Sequence, residues 1–261
     1  MSASCNGGRF ALDTSDGEIT TDNLIVATSP FQQPNIAAWA ATLADDIVQI
    51  HSVEYRDSAQ LPDGAVLVVG SRQSGCQIVE DLRIADREVH LCVGKAGRFP
   101  RRYRGRDIVE WVHDIGMVDL PVDQHPEGRA TRFRPFLHLS GRAGGHTFDL
   151  RALALNGVKL HGHALGADGH EIRFANDLAE NLDAIDTFCN QLQGRIDGYI
   201  AQTGLDPPEN DIEPVNWRPA PEPESLDLKQ AGINSVVFGT GYRLDHHWID
   251  LPVFDDTGYP S

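Results

Sequence analysis

Gly70-Ser-Arg-Gln-Ser-Gly75 is the stretch of this sequence whose residue types and spacing could do chemistry. It follows an unbroken apolar run, Ala65 to Val69, and opens a helical pattern in which Ile78, Val79 and Leu82 recur. A buried strand that feeds a helix through a glycine turn leaves helix N–H groups free and presents the positive end of the helix dipole. Such an end seats a diphosphate. Gly70 permits the tight turn and Gly75 lets the helix pack close to the strand; with Ser71, Gln73 and Ser74 they are the candidate diphosphate-holding residues. Arg72 stands where the dinucleotide fingerprint has its middle glycine. Its guanidinium either lies on the diphosphate or obstructs it, and a positive φ there would cost about 1–3 kcal/mol. A chance glycine-rich turn and a degenerate, non-binding site remain as alternatives.

The second strand, Glu88 to Gly94, ends without the acid that would hold the ribose hydroxyls of NAD. Lys95 to Arg106 follows, with six basic residues in twelve and no acidic one. The whole chain holds 22 Lys+Arg against 38 Asp+Glu, so this cluster runs against its background. Lys95, Arg98, Arg101 and Arg102 are therefore candidates for a 2′-phosphate, which favours NADPH; a solvated basic loop is the bland alternative. A net charge of −16 argues against nucleic acid as the partner.

A chain of 261 residues suits one large domain or two smaller ones. No apolar stretch approaches the roughly 20 residues that cross a bilayer, and no signal peptide is evident, so a cytoplasmic protein without a membrane partner is expected. Cys5, Cys76, Cys92 and Cys189 are scattered and read as reduced packing residues. The pairs His161/His163 and His246/His247 lack partners at ligand spacing, and no metal is expected. No Ser-His-Asp or Cys-His arrangement points to covalent catalysis, so no catalytic residue is assigned.

Before the glycine unit, Arg9 to Leu12 and Ile19 to Ala27 read as strands, residues 35 to 44 as a short helix, and Ile47 to His51 as a strand. After it, Asp107 to Gly116 is helical and 119 to 146 loop-rich. Val158 to His163 and Glu171 to Phe174 bracket Gly166-Ala-Asp-Gly169 as a hairpin. A long amphipathic helix carries Phe174, Leu178, Leu182, Ile185, Phe188, Leu192, Ile196 and Tyr199. An acidic, proline-rich stretch, 206 to 227, precedes a buried strand, Ser235 to Phe238.

Five landmarks in this order resemble the NADPH-dependent flavoprotein monooxygenases, the flavin-containing monooxygenase family and its bacterial relatives. They are Leu24 to Pro30, His51-Ser-Val-Glu-Tyr55, Gly70 to Leu82, the arginine loop, and Phe238-Gly-Thr-Gly-Tyr242. The resemblance implies an α/β fold in which a Rossmann-like NADP-binding domain, 41–225, is inserted in an FAD-binding domain formed by 1–40 and 226–261. It implies NADPH and FAD as cofactors, hydride transfer from NADPH to flavin, and oxygenation of a small-molecule substrate. His51 and Tyr55 become weaker candidates for nicotinamide or flavin contacts, against ordinary linker packing; Gly239, Thr240, Gly241 and Tyr242 become candidates to line the flavin interface.

Departures accompany the resemblance. Ser29 replaces the glycine of Ala-Thr-Gly, Gly239 replaces an alanine, and the Phe-x-Gly ahead of His51 is absent. No strand–GxGxxG–helix unit precedes Gly70, so the expectation is an incomplete FAD-binding domain, impaired or absent activity alone, and a need for an N-terminal FAD-binding half or a homo-oligomer. A non-catalytic NADP-binding module or pseudoenzyme is the principal alternative. A flavin-free NADP-dependent dehydrogenase is a third, weakened by the absence of a Tyr-x-x-x-Lys pair.

Overall fold

The computed structural model describes residues 1–95, 97–133, 138–210, 212–221 and 223–260. Ala96 of the arginine loop and part of the loop-rich 119–146 stretch lie outside them. The chain divides into two compact units, Met1–Ile36 with Thr240–Ser261, and Ala37–Gly239.

In the first unit β1 (Ser2–Asn6), β2 (Arg9–Thr14) and β3 (Gly17–Thr21) form an antiparallel meander. The short β4 (Gln33–Pro34) pairs antiparallel with Tyr242–Arg243. Ala3 is bridged to Ile249, its N–H donating to the Trp248 carbonyl at 2.7 Å. The apolar run Leu24 to Thr28, expected to continue a strand, is instead irregular, with Ile25 88% exposed. Among the described residues of this unit, Ala3 and Ile249 are the buried apolar side chains.

The second unit is built on five parallel strands. β5 (Val48–His51) and β6 (Ala65–Val69) lead to α1 (Gln73–Ile84) and β7 (Val89–Cys92). A two-residue hairpin, β8 (Arg102–Tyr103) and β9 (Arg106–Asp107), precedes α2 (Ile108–Asp114) and α3 (Leu150–Leu155). Then come β10 (Lys159–His161), β11 (Ala164–Asp168), β12 (Glu171–Phe174), α4 (Leu178–Thr203), β13 (Ser225–Asp227) and β14 (Ile233–Phe238). The sheet order is β10-β7-β6-β14-β5. Strand β14, expected in a return segment of the FAD domain, thus pairs on both sides inside this sheet.

Every residue of β6 is buried, as a central parallel strand requires. Val66 and Val68 face a core shared with α1, α3 and the first half of α4. Ala65, Leu67 and Val69 face Ala164, Ala167, Ile172 and Phe174 of the antiparallel sheet β11-β12-β13. The unit is therefore a helix layer, a parallel sheet and a second sheet. A third core joins Phe99, Tyr103, Ile108, Trp111 and Val112 to Leu192 and Ile196 on the second half of α4. Helix α4 ends where Gly204 enters the left-handed region, φ 69°.

One expected hairpin is placed differently. Lys159–His161 joins the parallel sheet beside β7, and the hairpin forms from β11 and β12 around Gly169-His170. The expected helix at 35 to 44 is a 3₁₀ turn, Ala38–Thr42.

Candidate functional site

The sheet reverses its winding between β6 and β14: from β6 the chain steps one way to β7 and β10, while β14 and β5 lie on the other side. In open α/β sheets, ligands bind outside the carboxyl ends of the strands at such a switch point. Three glycines meet there. Gly70, at φ 106°, makes the turn out of β6 in a conformation other residues rarely adopt. A Cβ on Gly75 would stand 1.8 Å from the Gly70 carbonyl oxygen, and one on Gly239 would stand 3.1 Å from Gly75 Cα. At Gly75 only bare backbone lets the start of α1 lie this close to the end of β6, while Gly239 leaves a tight fit beside the end of β14. The tight turn at Gly70 and the close helix packing at Gly75 therefore both depend on glycine.

Arg72 is the N-cap residue of α1, at φ −79° and ψ −174°, so it carries no left-handed strain. Its side chain makes no capping bond and is exposed. Ser71 is buried; its Oγ accepts from the Gly94 N–H at 3.2 Å and ties the ends of β6 and β7. Gln73 is likewise committed, its amide donating to the Leu139 carbonyl at 2.6 Å while its Oε1 accepts from the Leu139 N–H at 2.8 Å. Ser74 is half-buried in the first turn.

The basic loop is more occupied than its charge suggests. Arg98 lies between Asp149 and Asp186, the latter at 2.8 Å. Arg101 pairs with Asp107 at 2.7 Å, and Arg102 donates to the carbonyls of Gly144 and Gly145 at 2.9 and 3.0 Å. Arg104 and Arg106 are held by Asp197 and Asp114. In an acidic chain, guanidinium forks find internal carboxylates and carbonyls, which composition does not reveal. Lys95, just past β7, is the freest member of the cluster, meeting Glu180 at 3.3 Å with both side chains mostly in solvent; such a pair is weak.

His51 is fully buried at the end of β5, where its Nδ1 accepts from the Val53 N–H at 3.3 Å. Tyr55 donates to Asp81 in the later turns of α1 at 2.8 Å, and burial, with Asp81 adding to it, pushes its phenol pKa up. Tyr55 therefore packs along the helix, away from its start. Within the first unit, Thr240 Oγ1 donates to the Asn35 carbonyl, the Asn35 N–H donates to the Gly241 carbonyl at 2.9 Å, and the Tyr242 ring lies 5.2 Å from that of Phe31.

Sequence reading missed a strap, residues 138–147, laid against α1. Beyond the Gln73–Leu139 clamp, Ser140 and His146 reach Glu80 at 3.3 and 3.1 Å, and Arg142 reaches Asp81 at 3.2 Å. The Arg101 N–H donates to Thr147 Oγ1 at 2.8 Å, lacing the strap to the basic loop. Gln73 and Leu139 are 66 residues apart, and no local pattern announces such a contact. His138 opens the strap, 2% exposed. Burial, with Arg72 adding to it, holds its pKa down at about 4.

Comparison with known proteins agrees with this architecture. Residues 2–113 match the pyridine nucleotide-disulphide oxidoreductase family. The chain is similar to an uncharacterized oxidoreductase CzcO-like protein of Geobacillus kaustophilus, 38% identical over 115 residues, covering 44% of this chain and 33% of that one. It is also similar to the flavin-containing monooxygenase FMO GS-OX-like 1 of Arabidopsis thaliana, 30% identical over 137 residues, 48% of this chain and 29% of that one. A solved flavin-containing monooxygenase from Stenotrophomonas maltophilia superposes with a TM-score of 0.51 at 13% identity, over 100% of this chain and 55% of its own. The matched regions thus span about a third of the curated relatives. Residues 2–113 are thus similar to the pyridine nucleotide-disulphide oxidoreductases, and the mixed α/β fold is like that of the solved flavin-containing monooxygenase.

Proposed function

We propose that this chain binds NADPH at the β6/β14 switch point and serves a flavoprotein monooxygenase that oxygenates a small molecule. The turn at Gly70 and the close approach at Gly75, where α1 starts, carry the reading, because a bare-backbone contact there has a ready purpose in admitting a diphosphate. The coenzyme would take its diphosphate at Arg72 and the free N–H groups of the first turn and its 2′-phosphate at Lys95 beyond β7. Arg101 and Arg102 would join only by exchanging Asp107 and the Gly144 and Gly145 carbonyls for that phosphate. Arg98 holds the loop in place. NADPH would supply a hydride; the chain's own part is to bind and orient it.

Among the described residues no second strand–glycine turn–helix unit exists, so the diphosphate cradle of FAD is not assigned to any of them. We therefore propose that FAD and an FAD-binding half complete the reaction, and that this chain alone has little or no activity. That same observation, with Arg72 in the middle-glycine position, favours a non-catalytic NADP-binding module as the second reading. Calorimetry with NADPH and NADH tests the coenzyme reading: NADPH should bind more tightly, and Lys95→Ala should narrow the difference. Visible spectra after FAD addition and desalting test the need for a second half. Flavin bands retained by this chain alone overturn that need and the module reading together; a colourless protein that still binds NADPH agrees with both.

A further inference from the structure

The glycine turn seats backbone, yet its central position is an arginine, and the strap brings a buried imidazole to the same place. Leu139 is held to Gln73, the first residue of α1, through both its N–H and its carbonyl, so His138 is fixed beside the helix start. The imidazole is 2% exposed, and its Nε2 has no hydrogen-bond partner among the described residues. A buried, unpaired ring nitrogen is costly, about 1–3 kcal/mol, and calls for an explanation. Arg72 lies near enough for its charge to act on that ring, and its side chain is exposed. A buried ring nitrogen and an exposed guanidinium thus stand by the positive end of a twelve-residue helix.

We propose that His138 and Arg72 together form a side-chain seat for the coenzyme diphosphate, with His138 Nε2–H and the guanidinium donating to its oxygens. The pair takes over what the missing middle glycine does elsewhere through close backbone approach. This rests on the proposed coenzyme reading and assigns to that site a residue from outside the glycine turn. His138 is a binding residue in this scheme, and the Gln73–Leu139 clamp positions it.

The test compares His138→Phe, which keeps bulk but no donor, with His138→Gln, which keeps a donor, and with Arg72→Gln on the exposed side. Each is titrated with NADPH and with adenosine 2′-monophosphate, which has the 2′-phosphate but no diphosphate. Loss of one charge-assisted hydrogen bond predicts about tenfold weaker NADPH binding for His138→Phe and Arg72→Gln. His138→Gln should stay within about threefold of wild type, and adenosine 2′-monophosphate should bind all four proteins alike. Wild-type NADPH affinity in both His138→Phe and Arg72→Gln overturns the seat while leaving the coenzyme reading intact. Equal weakening toward both ligands shows a structural role and also overturns it. If wild type binds neither ligand, the coenzyme reading falls and the seat with it. Should His138→Phe not fold, Arg72→Gln decides by the same criteria.

Discussion

At Gly75 an added carbon would meet the Gly70 carbonyl oxygen, and no rotamer relieves a clash with backbone. Gly75→Ala is expected to destabilise the second unit by about 3 kcal/mol, at the upper end of overpacking costs, read as a lower urea midpoint. Gly194 is a useful contrast, lying inside α4 with nothing within 4 Å of its would-be Cβ. Gly194→Ala should stabilise by about 0.5–1 kcal/mol through helix propensity. Ser29 shows a third situation: it stands where the resembled family has glycine and keeps φ at 63°. Residue identities at the glycine turn were readable because local spacing and chemistry coincide there. Arg98 was not, since a charge count says nothing of Asp149 and Asp186, which lie far along the chain. Removing one partner of that network, as in Asp186→Ala, leaves Arg98 and the nearly buried Arg151 short of a carboxylate. A loss of about 3 kcal/mol is expected, measurable by denaturant unfolding.

Between neighbouring strands β7 and β10, His90 Nδ1 and His161 Nε2 are 2.9 Å apart, and the His161 ring stacks 4.5 Å from Phe174. Burial holds His90 at about 4 and His161 at about 3, each with help from the nearby Lys159 ammonium. Both rings are thus neutral when folded, while the unfolded chain takes up protons at about 6.5. The unfolded state binds more protons below that value, so stability is fully present above about pH 6.5 and falls as pH drops toward 4. His161→Phe should flatten that decline in a series of urea titrations. The element order was largely readable, including β6, α1, β7, α4 and β14, because their apolar periods are unambiguous. The strand Lys159–His161 was not distinguished from a hairpin arm, because three residues carry no period that separates parallel from antiparallel pairing. Leu24 to Thr28 misled in the opposite way, being apolar without being buried.

The two units differ in how much apolar surface each buries. All three hydrophobic cores lie within residues 37–239. The first unit buries Ala3 and Ile249 while Ile25, Phe31 and Met1 are largely exposed. A unit with so little buried apolar surface is marginal by itself. Hydrogen exchange should show β1 to β3 losing protection at lower denaturant than β6 and β14, and a chain of residues 37–239 should unfold cooperatively on its own. Equal protection in both units would contradict this. No helix among the described residues is long and apolar enough to cross a membrane.

Strand β6 is apolar on both sides, so sliding it by one position would cost little in hydrophobicity, although every side chain would change layers. What forbids the slip is the glycine contact, since Gly70, Gly75 and Gly239 meet in only one alignment. The place where a ligand is expected therefore doubles as the index mark of the sheet. A single-residue insertion in Ala65–Val69 would preserve greasiness and still throw the sheet out of step with α1.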